Sequence, residues 1–446
     1  MPIETATLAI VAALFVLMLA GIPLGVVTLS VSAATALAYF GPPGLGLVGR
    51  QIVGVLENYA FVAVPLFVLM ASLMEKAGVG HDLFDAMSLF SGRLRGGVAV
   101  QTVAVAVLMA AMAGVIGGEI MMLGLIALPQ MLRLGYDRKL SMGAICAGGS
   151  LATLIPPSIV MVVYGVTANV SIGALFLGGV LPGLMLAGFY VAYILARVRL
   201  DPALAPPPAA ERAEIAAADK IAALRGIAIP LLVVATVLGS IYAGVAAVTE
   251  AAAIGVGGAL VAAAARGRLT LETVLGASRQ TFVTVGAIIW LIIGAVSFVG
   301  IYNLIGGQEF MRGLIRGLDL PPLGIVLVMM GILMLLGTFM EWIAILLITV
   351  PIFSPVIAGL PFPAVGDAEA VKIWFGVLVA INIQIYFLSP PFGPACFFLN
   401  SVTPPEVTLQ EIFAAVLPFI ALQAVALALC VIFPEIVLFL PRVLGG

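Results

Sequence analysis

The sequence predicts an all-α polytopic membrane protein made of two inverted repeats, each with a re-entrant hairpin and a broken helix. Three observations carry this. Of 446 residues, 63% are hydrophobic and only 9% are charged, against about 25% in a soluble protein; mean hydropathy is +1.28. The chain contains 50 Gly and 28 Pro, and helix-breakers in apolar sequence are tolerated only where they line a cavity or lie buried in protein. Its two halves repeat the same motifs in the same order. The composition excludes a soluble enzyme, a disordered chain and a nucleic-acid binder. Long unbroken apolar runs exclude a β-barrel, whose strands alternate.

A crossing needs about 20 apolar residues. Such runs occur at 3–20, 22–40, 58–77, 140–165, 173–196, 226–243, 247–265, 283–302, 371–399 and 411–440. Met1–Thr5 carries no basic residue and 3–20 runs almost directly into 22–40, so no signal peptide is expected. Two stretches, 97–132 and 321–357, are too long for one crossing. Each is interrupted by small and acidic residues: Gly114-Val115-Ile116-Gly117-Gly118-Glu119 and Gly337-Thr338-Phe339-Met340-Glu341. Each reads as a hairpin entering and leaving on one side, or as two short helices. The mixed segments His81–Arg95 and Gln308–Leu318 read as interfacial arms. The polar stretch 197–225, with Pro206-Pro207-Pro208 and Glu211-Arg212-Ala213-Glu214, reads as a solvated connector. Alternating the crossings places 14 of the 19 Lys and Arg on one side. That side should be cytoplasmic, with a periplasmic N-terminus.

The repeat is carried by spacing. Glu119 precedes Pro129 by ten residues, and Glu341 precedes Pro351 by ten. Downstream of each comes a Pro-Pro, Leu154-Ile155-Pro156-Pro157-Ser158 and Leu388-Ser389-Pro390-Pro391-Phe392, then Val180-Leu181-Pro182 and Val416-Leu417-Pro418. Five crossings per half is an odd number, so the second half should be inverted, as in secondary transporters.

A double proline cannot continue a helix, because it removes two N–H donors and clashes with the preceding turn. Carbonyls freed at 152–157 and 386–392 are candidate ligands for a hard monovalent cation. The hydroxyls of Ser150, Thr153, Ser158, Ser389 and Thr338 stand nearby. Ser150, Thr153, Ser158, Thr338 and Glu341 are the candidate solute contacts, since no Lys or Arg falls at mid-membrane to clamp an anion. Glu119 and Glu341 are the acids deep in the hairpin runs; each either binds a cation or caps a helix. One His, His81, leaves no histidine relay or triad, and Cys146, Cys396 and Cys430 have no metal-ligand spacing. An enzyme is therefore not expected.

The stretch Gly148-Gly149-Ser150-Leu151-Ala152-Thr153-Leu154-Ile155-Pro156-Pro157-Ser158-Ile159 resembles the hallmark segment of the large membrane (M, DctM-type) subunit of TRAP transporters. Pro129-Gln130-Met131, Gly135-Tyr136, Leu388-Ser389-Pro390-Pro391-Phe392-Gly393 and Ala63-Val64-Pro65-Leu66-Phe67-Val68-Leu69-Met70 resemble it too, and the likeness covers essentially the whole chain. The resemblance implies the ion transporter superfamily fold. Residues 1–96 and 226–320 would form a scaffold with its arms, and 197–225 a linker. Residues 97–196 and 321–446 would form an elevator-like transport domain. It also implies Na⁺-gradient-driven uptake of a small organic acid across the inner membrane, a four-helix small subunit (Q) and a periplasmic substrate-binding protein (P). By motif position, the implied Na⁺ sites are Gly117, Gly118, Ala152, Ile155 and Pro157, and Gly337, Tyr386, Ser389 and Phe392. The chain departs from the family at Gly117-Gly118-Glu119, where many members carry Gly-Ser-Ser, at Ala152 for Gly and at Ser389 for Thr. Glu119 offers an oxygen where the tip hydroxyls are missing. A stand-alone transporter of the same superfamily is the alternative.

Overall fold

The computed structural model describes residues 1–91, 94–114, 117–207 and 217–444. Every regular element among them is helical. The first group is α1 (Ile3–Leu19), α2 (Leu24–Phe40), α3 (Gly44–Glu57), α4 (Ala63–Lys76) and α5 (Val79–Ser91). There follow α6 (Gly97–Ala113) and α7 (Gly118–Arg133), then α8 (Arg138–Ser150), α9 (Ile159–Ala168) and α10 (Ile172–Leu200). The second half runs α11 (Ala217–Tyr242), α12 (Val248–Ala265), α13 (Leu271–Leu304), α14 (Gly307–Arg316), α15 (Pro322–Gly337) and α16 (Trp342–Ile357). It closes with α17 (Ala368–Leu388), α18 (Pro394–Asn400), α19 (Leu409–Ile432) and α20 (Glu435–Leu444).

Polar caps set several boundaries. The side chains of Asp137, Ser171, Thr270, Asp367 and Thr408 accept the first free N–H groups of α8, α10, α13, α17 and α19, satisfying donors that a helix start leaves unpaired. Both long stretches are helical pairs. The backbone N–H of Val98 donates to the Tyr136 hydroxyl at 3.1 Å, so the open ends of α6 and α7 lie side by side and the segment is a hairpin. The helices α15 and α16 pack on each other across the four-residue turn 338–341. At 16 or 17 residues each, these helices span about 25 Å, short of the ~30 Å hydrocarbon core.

Four expectations are corrected. Residues 44–57 form a helix, α3, that no 20-residue apolar run announces. The crossing expected at 283–302 is the last part of the 34-residue α13. The run 411–440 divides at Phe433-Pro434 into α19 and α20, because Phe433, the residue before the proline, leaves the helical region. Part of the connector 197–225 is helical, α10 reaching Leu200 and α11 starting at Ala217, whereas Glu211-Arg212-Ala213-Glu214 lies outside the described residues.

Two helix groups emerge. In one, α2, α4, α12 and α13 pack together, with α11 on α12 and α5. Gly294 of α13 seats against the carbonyl of Gly25 in α2, the close approach that small residues permit between membrane helices. In the other, α8 contacts α6, α7 and α19, and α17 contacts α15, α19 and α10. Its centre is α17, buried from Trp374 to Leu388. There the Trp374 indole N–H donates to the Cys430 carbonyl at 2.8 Å, and the Asn382 amide to the Met330 carbonyl at 2.8 Å. Cys146, Cys396 and Cys430 are buried free thiols. Outward, Leu232, Val261 and Phe282 are 67%, 67% and 80% exposed. Among the described residues, six helical segments, including α10, α13 and α19, are long and apolar enough to cross a membrane. This is a multi-pass membrane protein.

Long-range bonds define two ends. At one, Arg266 pairs with Asp82 (2.9 Å), Arg268 donates to the Ala77 carbonyl (2.8 Å), Arg95 to the Pro202 carbonyl (2.8 Å) and the Asp137 N–H to the Leu204 carbonyl (2.9 Å). At the other, the Tyr39 hydroxyl reaches the Met1 carbonyl (3.1 Å), Tyr164 the Lys372 carbonyl (2.8 Å) and Arg442 the Val365 carbonyl (2.6 Å).

Candidate functional site

Each hairpin tip meets a helix break through a glycine. At the first tip, α6 ends at Ala113 and Gly114 turns with φ +56°. A side chain there would run into the Pro157 carbonyl, and the Gly114 carbonyl accepts the Ile159 N–H at 3.3 Å. The tip continues at Gly117, φ +109°, where an added Cβ would lie 2.9 Å from the Phe398 ring of α18. The first hairpin thus touches both broken helices. At the second tip, Gly337 ends α15 directly on the buried Tyr386 ring, leaving no room for a Cβ.

The first break runs from the end of α8 through a short 3-10 turn, Leu151–Thr153, to Ile159. The Leu154 and Ile155 N–H groups both donate to the Leu151 carbonyl, at 3.0 and 2.9 Å. Among the described residues, the carbonyls of Ala152, Ile155 and Pro157 accept no hydrogen bond. For Ala152 the reason is the one the sequence suggests, since its helical donor would be Pro156, which has no N–H to give; the Ile159 N–H that Ile155 would meet goes to the Gly114 carbonyl instead.

The hydroxyls have other duties. Ser150 donates to the Ala147 carbonyl (2.7 Å), Thr153 to the Ser150 carbonyl (3.1 Å) and Ser158 to the Thr153 carbonyl (2.6 Å). All three are fully buried. Here they brace the break, the local bonding typical of Ser and Thr beside interrupted helix.

At the second break, the Ser389 hydroxyl donates to the Ile385 carbonyl at 2.6 Å and its N–H to the Tyr386 carbonyl at 3.0 Å. Gly393, φ +31°, holds the chain against the Ser389 carbonyl. Phe392 is exposed, and the Thr338 hydroxyl turns back to the Leu335 carbonyl at 2.7 Å.

The two acids are not equivalent. Glu119 is the second residue of α7 and 2% exposed, with neither carboxylate oxygen hydrogen-bonded among the described residues. Glu341 precedes α16 and is exposed. Neither makes a side-chain capping bond.

Two cavities lie against the hairpin helices. One, of about 240 Å³, lies between the first hairpin and α4 and α13, and includes Glu75, Gly117, Gly118, Glu119, Gln280 and Thr284 in its wall. None of Ser150, Ala152, Thr153, Ile155, Pro157 or Ser158 lines it. The other, of about 590 Å³, lies between α3, α13, α9 and α16, with Gln51, Asn58, Thr167 and Asn303 in its wall.

Sequence reasoning did not single out several polar groups. The Gln423 amide of α19 donates to the Ser150 hydroxyl (3.2 Å) and the Tyr190 hydroxyl (2.9 Å), tying α8 and α10 together. Among the described residues, the Gln384 amide is also buried without a partner beside the second break, as is the hydroxyl of Tyr386, a residue the family resemblance does imply for the second Na⁺ site. A lone amide in an apolar crossing was the available signal.

The model of the family described as "Tripartite ATP-independent periplasmic transporter, DctM component" matches residues 11–436. The chain belongs to this family. It is 33% identical to a C4-dicarboxylate TRAP transporter large permease protein of Pseudomonas aeruginosa, over 94% of each chain. It is 29% identical to the sialic acid large permease of Vibrio cholerae, covering 96% of this chain and 97% of that one. It is 28% identical to the ectoine large permease of Halomonas elongata, covering 97% and 98%. These members of the family are named as transporter permeases, not enzymes. In fold, the chain is similar to the YdaH transporter of Alcanivorax borkumensis (TM-score 0.62, 15% identity, 91% and 95% covered).

Proposed function

We propose that the chain is the permease subunit of a Na⁺-gradient-driven uptake system for a small carboxylate-bearing solute in the inner membrane. The observation that carries this reading is the pairing of each hairpin tip with a helix break, Gly114 on Pro157 and Gly337 on Tyr386. In this reading a moving tip would open or close the unbonded carbonyls beside it. Unpaired carbonyls in a water-poor site suit a hard monovalent cation. At the first site the residues fit Na⁺: Ala152, Ile155 and Pro157 supply free carbonyl oxygens and Gly114 brings the tip backbone onto Pro157, while Gly117 and Gly118 follow in the same tip on its cavity side. At the second, Gly337, Tyr386, Ser389 and Phe392 contribute backbone around the Pro390-Pro391 break. Na⁺ bound there would join tip to break.

In this reading residues 97–196 and 321–446 move as one body against a scaffold of 1–96 and 226–320, and the two repeats are inverted. The cavities between hairpin and scaffold helices are the approaches to the solute site. Basic residues gather at the end marked by Arg95, Arg266 and Arg268, which makes that end cytoplasmic and the N-terminus periplasmic. The first hairpin then opens from the cytoplasm.

The broad lipid-facing surfaces of α1, α11 and α12 leave room for a small membrane subunit (Q), and solute arrives on a periplasmic binding protein (P). The test is uptake into proteoliposomes. The chain with its small subunit should transport only when the loaded binding protein is added. Uptake by this chain alone would replace this reading with a stand-alone transporter of the same fold.

A further inference from the structure

The cavity between the first hairpin and α4 and α13 carries two carboxylates, and no Lys, Arg or His lines it among the described residues. Glu119 contributes one, buried and without a hydrogen-bond partner. Glu75, exposed on α4, contributes the other. Its Oε2 accepts the Gln280 amide at 3.0 Å, and a Cβ on Gly118 would lie 3.8 Å from that oxygen. The acids thus come from two helix groups and meet at one tip. Five methionines, Met74, Met109, Met112, Met121 and Met122, bring thioethers and methyls to the rest of the wall.

Burying a carboxylate without a partner is costly, and acids kept within membrane segments mark solute or ion pathways. A hard metal ion asks for a shell of oxygens; beside the two carboxylates this wall adds only the side-chain oxygens of Ser72, Gln280 and Thr284, and among the described residues no three acidic, His or Cys side chains group to hold such an ion. Soft, polarisable thioethers that adapt to irregular shapes suit an alkylated organic cation, and about 240 Å³ admits a small organic group. The break carbonyls of Ala152, Ile155 and Pro157 do not line the cavity, whereas Gly117 and Gly118 do, so Glu119 shares the hairpin tip with the first set of cation ligands and not its break.

We propose that this cavity receives a positively charged organic group, an ammonium or amidinium carried by a small zwitterionic solute, with Glu119 as its counter-charge and Glu75 at its mouth. The inference rests on the reading of the chain as a solute permease. It narrows the solute from a simple organic acid to one that also bears a positive charge.

The test reads the cavity's charge preference without transport. Thr284, on the α13 wall, is changed to Cys in the full-length chain in detergent at low salt, with the parent chain and its buried thiols as background. The probes are a trimethylammonium-ethyl and a sulfonato-ethyl methanethiosulfonate. Their labelling rates are divided by their rates on a small free thiol.

The cationic reagent should be favoured by about tenfold or more, as a unit charge several ångströms away at a reduced dielectric would produce. Adding Glu119→Gln should narrow the ratio to within about twofold, and Glu75→Gln should narrow it less. Glu119→Asp, which keeps the charge, should preserve the preference and so separates charge from folding. Equal corrected rates in the Thr284→Cys chain, or a ratio that Glu119→Gln leaves unchanged, would overturn the proposal. Because no gradient, binding protein or small subunit is involved, failure here is distinct from failure of Na⁺-driven uptake.

Discussion

Gly337→Ala should abolish uptake, while Gly331→Ala six residues earlier in the same helix should leave it intact. A Cβ at Gly337 would overlap the Tyr386 ring, which is 1% exposed and has nowhere to go. Overpacking of that kind costs about 1–3 kcal/mol, and here the strain falls between hairpin tip and break. Gly331 has open space around its Cα, so alanine there gains roughly 0.8–1 kcal/mol of helix propensity. Expression-matched uptake of the two variants, with a melting curve for each, checks the contrast. A loss of at least about tenfold in Gly337→Ala alone is expected, since 1.4 kcal/mol is a factor of ten. Equal activity of the two would mean that the tip–break contact does not matter.

The second large effect is expected from the first break. Changing Pro156 and Pro157 together to Ala restores two N–H donors and removes both ring clashes. The carbonyls of Ala152 and its neighbours can then be taken into helical bonds between α8 and α9. The double variant should be as stable as the parent or more so, yet lose uptake and the stabilisation that Na⁺ confers on the purified protein. A site whose carbonyls bind an ion gains apparent stability as RT ln(1 + [Na⁺]/Kd), so melting temperature against NaCl, with choline chloride as control, reads the site directly. An unaltered Na⁺ response in the double variant would place the ion elsewhere.

Much of this fold was legible because the membrane imposes a length rule. The hairpins showed themselves as runs too long for one crossing with glycines at the middle, and the breaks as prolines that no helix can absorb. The helix α3 was not legible: Arg50, Gln51 and Glu57 interrupt its apolar residues, so no hydropathy window finds it, and it is placed by packing on α2 and α13. The division of α19 from α20 was hidden by the long apolar runs on either side of Pro434-Glu435.

At the site, the sequence pointed to the two breaks and to the tips that meet them, but not to the bonds each side chain makes. Ser150, Thr153 and Ser158 have the right chemistry for a solute, but sequence does not say which hydroxyls a broken helix will use on itself. Glu119 and Glu341 share a ten-residue spacing to proline, but they stand in different registers to their helix starts. One is therefore buried at a cavity and the other exposed. Gln423 was one polar residue in a long apolar crossing. Its role depends on Ser150 and Tyr190, which lie hundreds of residues away in sequence and meet it only in the fold.

The central claim is that ions at the two tip–break pairs drive the solute, and uptake under imposed gradients tests it most directly. Proteoliposomes holding this chain and its small subunit, supplied with loaded binding protein, should accumulate solute under an inward Na⁺ gradient. They should stop when Na⁺ is replaced by K⁺ or choline, even with an inward proton gradient imposed. Equal accumulation in Na⁺-free buffer driven by protons would contradict the account.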